Sequence, residues 1–324
     1  MNLKLFISGK YTSVWWIILY LTGVYLTGRL TTLPMVESHG GLLWPGAGQW
    51  LAPALLNRVV NCLLVLLCGV LLLRINNRFS LIQKHTLLPF LFFLLLELAS
   101  PALSLLGDGT VTTVILLLLL VLFFQSYQSD RAQPAFLIFG ALALGTLFCT
   151  RFAYFVPLFL IGFSQIRYLS VKSLSGALIG FITPFWFIVG IDLIPFSQLT
   201  LLLPDFIPAL PASLPYDHPQ FWIVVLTALL GLFSGTTMLY TSFNEKRQIR
   251  AYNGFVNLLS VYTALLLILD YTHYAYYLPV LNAAVSMQAA FFFTNNGNRK
   301  PGVILFYLIL TLYIALFIWN LLPA

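Results

Sequence analysis

The chain has 324 residues, 60% of them apolar and only 8% charged, where a soluble domain carries about 25% charged residues. Water is therefore excluded as its main solvent. The formal net charge of +7 is scattered through short loops between apolar runs, where membrane orientation accounts for it, so no nucleic-acid partner is expected.

A membrane crossing needs about 20 apolar residues, so ten or eleven crossings use up most of the chain. The apolar runs predict spans at 14–33, 54–73, 86–105, 110–124, 134–149, 152–166, 174–193, 220–240, 253–269, 275–294 and 302–321. The expected fold is an all-α polytopic transmembrane helix bundle of about eleven spans, with residues 1–324 forming one integral-membrane domain. With the N-terminus in the cytoplasm, thirteen of the sixteen Lys and Arg residues fall in inside loops: Lys4, Lys10, Arg74, Arg78, Lys84, Arg131, Arg167, Lys172, Lys246, Arg247, Arg250, Arg299 and Lys300. Glu37, Asp108, Asp192, Asp205, Asp217 and Asp270 fall outside, as does the C-terminus. The localisation this predicts is a bacterial cytoplasmic (inner) membrane, with the lipid bilayer as the one certain partner.

In chain order, the run Val14–Leu30 follows Lys4 and Lys10 and lacks a small-x-small cleavage pattern, so it reads as a retained first span rather than a signal peptide. Arg29 falls near its outer end. The first external loop is rich in Gly, Trp and Pro and contains Glu37 and His39, an acid and an imidazole of the types that serve as general bases. Arg58 is in the outer turn of span two, with Asn57 beside it and Asn61 one turn further in. Glu97 interrupts the leucines of span three, an ionisable residue that needs a cation or a proton; Arg58 and Arg151 are the candidate cations. Pro101 is expected to bend that helix, and Asp108 to cap span four.

Spans five and six are short, with Arg151 between them. Two untilted helices and a re-entrant hairpin both fit, and both return the chain to the cytoplasm. The segment from 194 to 220 has prolines at 195, 204, 208, 211, 215 and 219, which forbid a long helix. It either rests on the headgroups or folds back as a lid, and the same choice is open for the first loop. Asp270, His273 and Tyr274 are the last external polar group.

Arg29, Arg58 and Arg151 are the three cations left on the translocated side against the positive-inside bias. Guanidinium is the natural partner of phosphate, through two parallel hydrogen bonds and a permanent charge. Snorkelling to lipid phosphates is the competing explanation. Cys62, Cys68 and Cys149 fall in apolar runs with no metal-ligand spacing, so neither a disulfide nor zinc is inferred. Three of four histidines (His39, His218 and His273) are external, which admits a divalent metal without any spacing to support it; no cofactor is expected. There is no GxxxxGK[ST] and no H-E-x-x-H, which argues against an ATP-driven pump and a zinc protease.

The stretches LASPALSLLGDGTVTTVILLLLLVLFF, FLIFGALALGTLFCTRFAYFVPLFLIGF and GALIGFITPFWFI resemble the middle spans of GT-C type membrane glycosyltransferases, over residues 14–193. That resemblance implies a polyprenyl-phosphate-linked sugar as substrate, Glu37 as the catalytic acid or base, and Arg29, Arg58 and Arg151 as phosphate ligands; by residue type and position, His39 is a further catalytic candidate and Glu97 and Asn61 are further substrate-binding candidates. GT-C members commonly have an acidic pair in the first loop, where this chain has Glu37 and His39. The same stretches also resemble an uncharacterised family of multi-pass inner-membrane proteins from Bacteroidota, which implies no activity. The alternatives are a transporter or flippase and a non-catalytic scaffold of an envelope assembly machine.

Overall fold

The computed structural model describes residues 10–30, 40–41, 43–51, 53–195, 216–243, 245–296 and 300–322. Among them are eleven α-helices and no strand: α1 Lys10–Leu30, α2 Ala54–Phe79, α3 Leu88–Ala99, α4 Asp108–Gln125, α5 Gln133–Phe148, α6 Val156–Gln165, α7 Val171–Gly190, α8 Pro219–Ser242, α9 Arg247–Leu269, α10 Tyr274–Asn296 and α11 Lys300–Leu321. Each coincides with one apolar run. Seven are long and apolar enough to cross a membrane: α2, α4, α7, α8, α9, α10 and α11.

The helices alternate in direction, because their connections meet in two groups. At one end, the main-chain NH of Gln128 donates to Ile166 O (3.4 Å), and Lys172 pairs with Asp130 (2.6 Å). There too Gln83 bonds Glu245, and Asn253 donates to Leu81 O (3.4 Å). This basic end gathers Arg78, Lys84, Arg131, Arg167, Lys172, Arg247 and Arg250. At the opposite end Ser100 donates to Gln220 (2.8 Å), Tyr262 donates to Tyr154 O (2.6 Å), and Arg151 pairs with Asp270 (3.4 Å). Arg151 is therefore level with the far end of α9, at the rim of the bundle rather than halfway through it.

The short helices reach that rim with help from 3-10 turns. At 1.5 Å per residue α5 is about 24 Å long. Pro101–Ser104 extends α3, and Thr150–Phe155 precedes α6. Pro101 does not merely bend α3: the α-helix stops at Ala99, since proline lacks the NH that would continue it.

The bundle is built around α10, every residue of which from Tyr276 to Phe291 is buried. Its small residues Ala283, Ala284, Ser286, Ala289 and Ala290 let α3, α4, α8 and α9 approach closely. Phe123, Phe159 and Phe255 lock α4, α6 and α9 together, with the Phe123 and Phe255 rings 4.1 Å apart. At the periphery, α5 and α7 form a close pair through the Gly176-x-x-x-Gly180 step. A Cβ at Gly176 would lie 2.6 Å from Ala132 O, and one at Gly180 would collide with Phe136 O. The outer faces of α1, α7 and α11 expose large apolar side chains, including Trp15, Leu178, Trp186, Ile304 and Trp319. Such a surface fits a hydrocarbon surround.

Candidate functional site

The first loop folds back over the rim. Gly41 N donates to Phe148 O (2.7 Å), Leu43 N to Leu147 O (3.3 Å), and Trp44 packs against Phe148. Asp108 has a different task from the one expected. Gly107 is the residue preceding α4, and the Asp108 carboxylate instead accepts from Ala47 N (2.6 Å), capping the 3-10 turn Ala47–Gln49 of the loop. Asn57 completes the seam, donating to Gly48 O (3.3 Å) and accepting from Leu106 N (2.7 Å). Glu37 and His39 lie outside the described residues, just before Gly40.

Next to Asn57, at the start of α2, is Arg58. Its guanidinium crosses from α2 to α1 and lies where a Cβ of Gly28 would be. Its Nε is buried and has no acceptor among the described residues. A guanidinium keeps its charge and offers five donors, so a buried, unanswered N–H asks for an anionic oxygen. Arg29, the next residue after Gly28, turns outward instead. It bonds Tyr25 Oη (3.2 Å) and stacks over that ring at 5.5 Å.

Arg151 belongs to another group. Its Nε lies 3.4 Å from Asp270 Oδ2, and Asp270 Oδ1 lies 2.6 Å from His273 Nδ1. Tyr277 Oη donates to Asp270 Oδ2 (3.2 Å), and Thr272 Oγ1 to its Oδ1 (3.1 Å). Burial pushes the Asp270 carboxyl upward. The His273 hydrogen bond and charge, the Arg151 charge and the Thr272 bond outweigh that and hold it below the ordinary carboxylate range. A carboxylate only accepts, so the proton of that contact is on His273 Nδ1. Sequence reasoning grouped Asp270 with His273 and Tyr274 but left Arg151 apart. What makes them a unit is the meeting of α9, the 3-10 turn before α6 and the start of α10. The three arginines therefore form two groups, Arg58 with Gly28 beside Arg29, and Arg151 with Asp270 and His273. No hydrogen bond or ion pair among the described residues joins the two groups.

Glu97 and Asn61 lie deeper. Glu97, at the last turn of α3, accepts from Asn282 Nδ2 of α10 (3.1 Å), and its second oxygen is buried with no partner. Its partner is thus an amide, and neither Arg58 nor Arg151 contacts it. Asn61 donates to Leu103 O (2.7 Å), closing the 3-10 turn that follows α3. The space beside them, lined by Tyr20, Thr27, Ser100 and Ser104, holds no room for a water molecule. Cys62, Cys68 and Cys149 are buried free thiols, and no group of three His, Cys, Asp or Glu among the described residues could hold a metal ion.

The chain matches no protein-family model, no curated protein and no solved structure.

Proposed function

We propose that this is a multi-pass protein of about eleven crossings in a bacterial inner membrane, with its basic end in the cytoplasm, and that it handles a lipid-linked, phosphate-bearing substrate at the outer leaflet. The most concrete form is sugar transfer from a polyprenyl phosphate. The observation that carries the reading is Arg58, a permanently charged group near the rim with a buried N–H that no acceptor among the described residues answers.

In such a transfer the bond from sugar C1 to the carrier phosphate oxygen breaks, and a bond from C1 to the acceptor hydroxyl oxygen forms. The carrier phosphate leaves with the electron pair, and Arg58 stabilises its added charge. The acceptor proton goes to a general base. Glu37 is that base by the resemblance to GT-C enzymes; His273, an imidazole held by Asp270 at the same rim, is the second candidate by residue type.

The test is retention of polyprenyl phosphate by protein reconstituted in lipid nanodiscs, read by mass spectrometry of the extracted lipid. Wild type should retain it, and Arg58→Ala should retain about tenfold less, the loss of one charge-assisted contact. Equal retention rejects the reading. Glu37→Gln and His273→Ala then separate the two bases, since only the true one abolishes turnover while leaving retention intact. A transporter is the second reading. It is favoured by the polar interior of α9 and α10, where Gln288 donates to Asn257 (3.0 Å) and where Asn253 Oδ1 and Asn282 Oδ1, like Glu97 Oε2 on α3, are buried without partners among the described residues. That reading expects Glu97→Gln, and not Arg58→Ala, to stop flux.

A further inference from the structure

A hollow lies at the basic end, opposite the rim that carries Arg58. It has a volume of about 410 Å³ and is lined by Tyr127, Gln165, Arg167, Arg247, Arg250 and Ala251. That is the size of a small-ligand site. Three guanidiniums face it with no acid in its lining, and none of the three makes an ion pair among the described residues.

Two of these arginines are held in place. Arg250 donates to Phe243 O and lies over the Phe243 ring at 5.5 Å. Arg167 sits in the left-handed turn that ends α6, where its N–H donates to Ser164 O (3.2 Å) and the next N–H to Phe163 O (2.9 Å). Arg247 opens α9, a 23-residue helix whose preceding residue, Lys246, supplies no side-chain cap. The first N–H groups of that helix add partial positive charge to the same place.

Gln165 provides the independent sign of a ligand. Its Oε1 is buried with no donor among the described residues, while its amide nitrogen is pressed against α9 at Gly254, where a Cβ would collide with it. An orphaned acceptor beside three guanidiniums calls for a molecule that brings both anionic oxygens and a hydroxyl donor. We propose that the hollow binds a phosphate ester bearing a free hydroxyl, the guanidiniums holding the phosphate and Gln165 accepting from the hydroxyl. Two sources supply that chemistry: the headgroup of a phospholipid such as phosphatidylglycerol, and a soluble polyol phosphate such as glycerol 3-phosphate.

The experiment uses the full chain in phosphatidylcholine nanodiscs and follows its thermal unfolding midpoint. One arm replaces part of the lipid with phosphatidylglycerol; the other titrates glycerol 3-phosphate into the buffer. The midpoint should rise in one arm, which identifies the source. The half-saturating concentration should increase about tenfold or more in Arg167→Gln/Arg250→Gln. Gln165→Leu should remove the preference for glycerol 3-phosphate over inorganic phosphate, or for phosphatidylglycerol over phosphatidic acid. Should the double variant fail to fold, the exposed single variant Arg247→Gln keeps the test decisive, with a weakening of about fivefold. A midpoint that rises in neither arm, or rises equally in wild type and variants, overturns the proposal. The proposal stands apart from the polyprenyl phosphate reading, because Arg58→Ala should leave this midpoint shift unchanged.

Discussion

Asp270 concentrates more interactions than any other carboxylate described, and its environment predicts a pH effect. Its folded value lies below the ordinary one, so its stabilisation is complete above the unfolded value of about 3.9 and is lost as pH falls through the folded value. Acidification from about pH 5 to about pH 2 in detergent should lower the unfolding midpoint of wild type more than that of Asp270→Asn. The same variant leaves Arg151, 16% exposed, without its acid, and should cost about 1–3 kcal/mol at neutral pH. A cycle with Arg151→Gln should show coupling, since the two side chains touch. Glu97 makes the opposite case. Glu97→Gln keeps an acceptor for Asn282 and adds a donor next to Asn282, whose own oxygen has no partner among the described residues, so stability should be unchanged or higher. Glu97→Leu strands the Asn282 amide and should cost about 1–3 kcal/mol, read from the same melts. None of these pairings is legible along the chain. Glu97 and Asn282 are 185 residues apart, and which polar side chains meet is set by how helices pack, not by their spacing.

Glycines at helix contacts mark where elements are held together. A Cβ at Gly180 meets the main chain of α5, which cannot give way, so Gly180→Ala should loosen the α5–α7 pair by about 1–3 kcal/mol. Faster proteolysis of the 166–170 connection would report it. At Gly28 the colliding atom is the far end of a flexible arginine, so Gly28→Ala should barely change the melting midpoint. It should nevertheless displace the Arg58 guanidinium and lower polyprenyl phosphate retention as Arg58→Ala does. The capping box at the start of α7 is a second local device, with Ser170 Oγ accepting from Ser173 N (3.1 Å) and Ser173 Oγ from Ser170 N (2.8 Å). Its Ser-x-x-Ser spacing is visible in the sequence, whereas the glycine contacts depend on which helix lies opposite.

For the whole molecule, the two groups of connections make a test of orientation simple. The three native cysteines are buried, so a cysteine placed at Lys172 or Gln83 should be shielded from an impermeant maleimide applied to intact cells, and one at Asp217 should react. Labelling at both ends, or only at the basic one, would reverse the proposed sidedness. The eleven helices were all legible as apolar runs whose ends are announced by charge or proline, although only seven of them are long and apolar enough to cross a membrane. Arg151 at the rim was less so: charge alternation is satisfied equally by a hairpin and by two short helices, and only the ion pair with Asp270 fixes its level.

By itself, the sequence determined that this is a helical membrane-type chain, where its helices run and how they alternate, because those properties follow from local hydrophobicity and from charge at helix ends. Only the tertiary structure decided that Asp108 caps the first loop, that Arg58 lies against Gly28 with no acceptor for its Nε among the described residues, and that Arg151 joins Asp270 and His273. Each of those facts depends on the rotation and depth of one helix against another. These are set by side-chain packing between segments distant in the chain, which hydropathy does not encode.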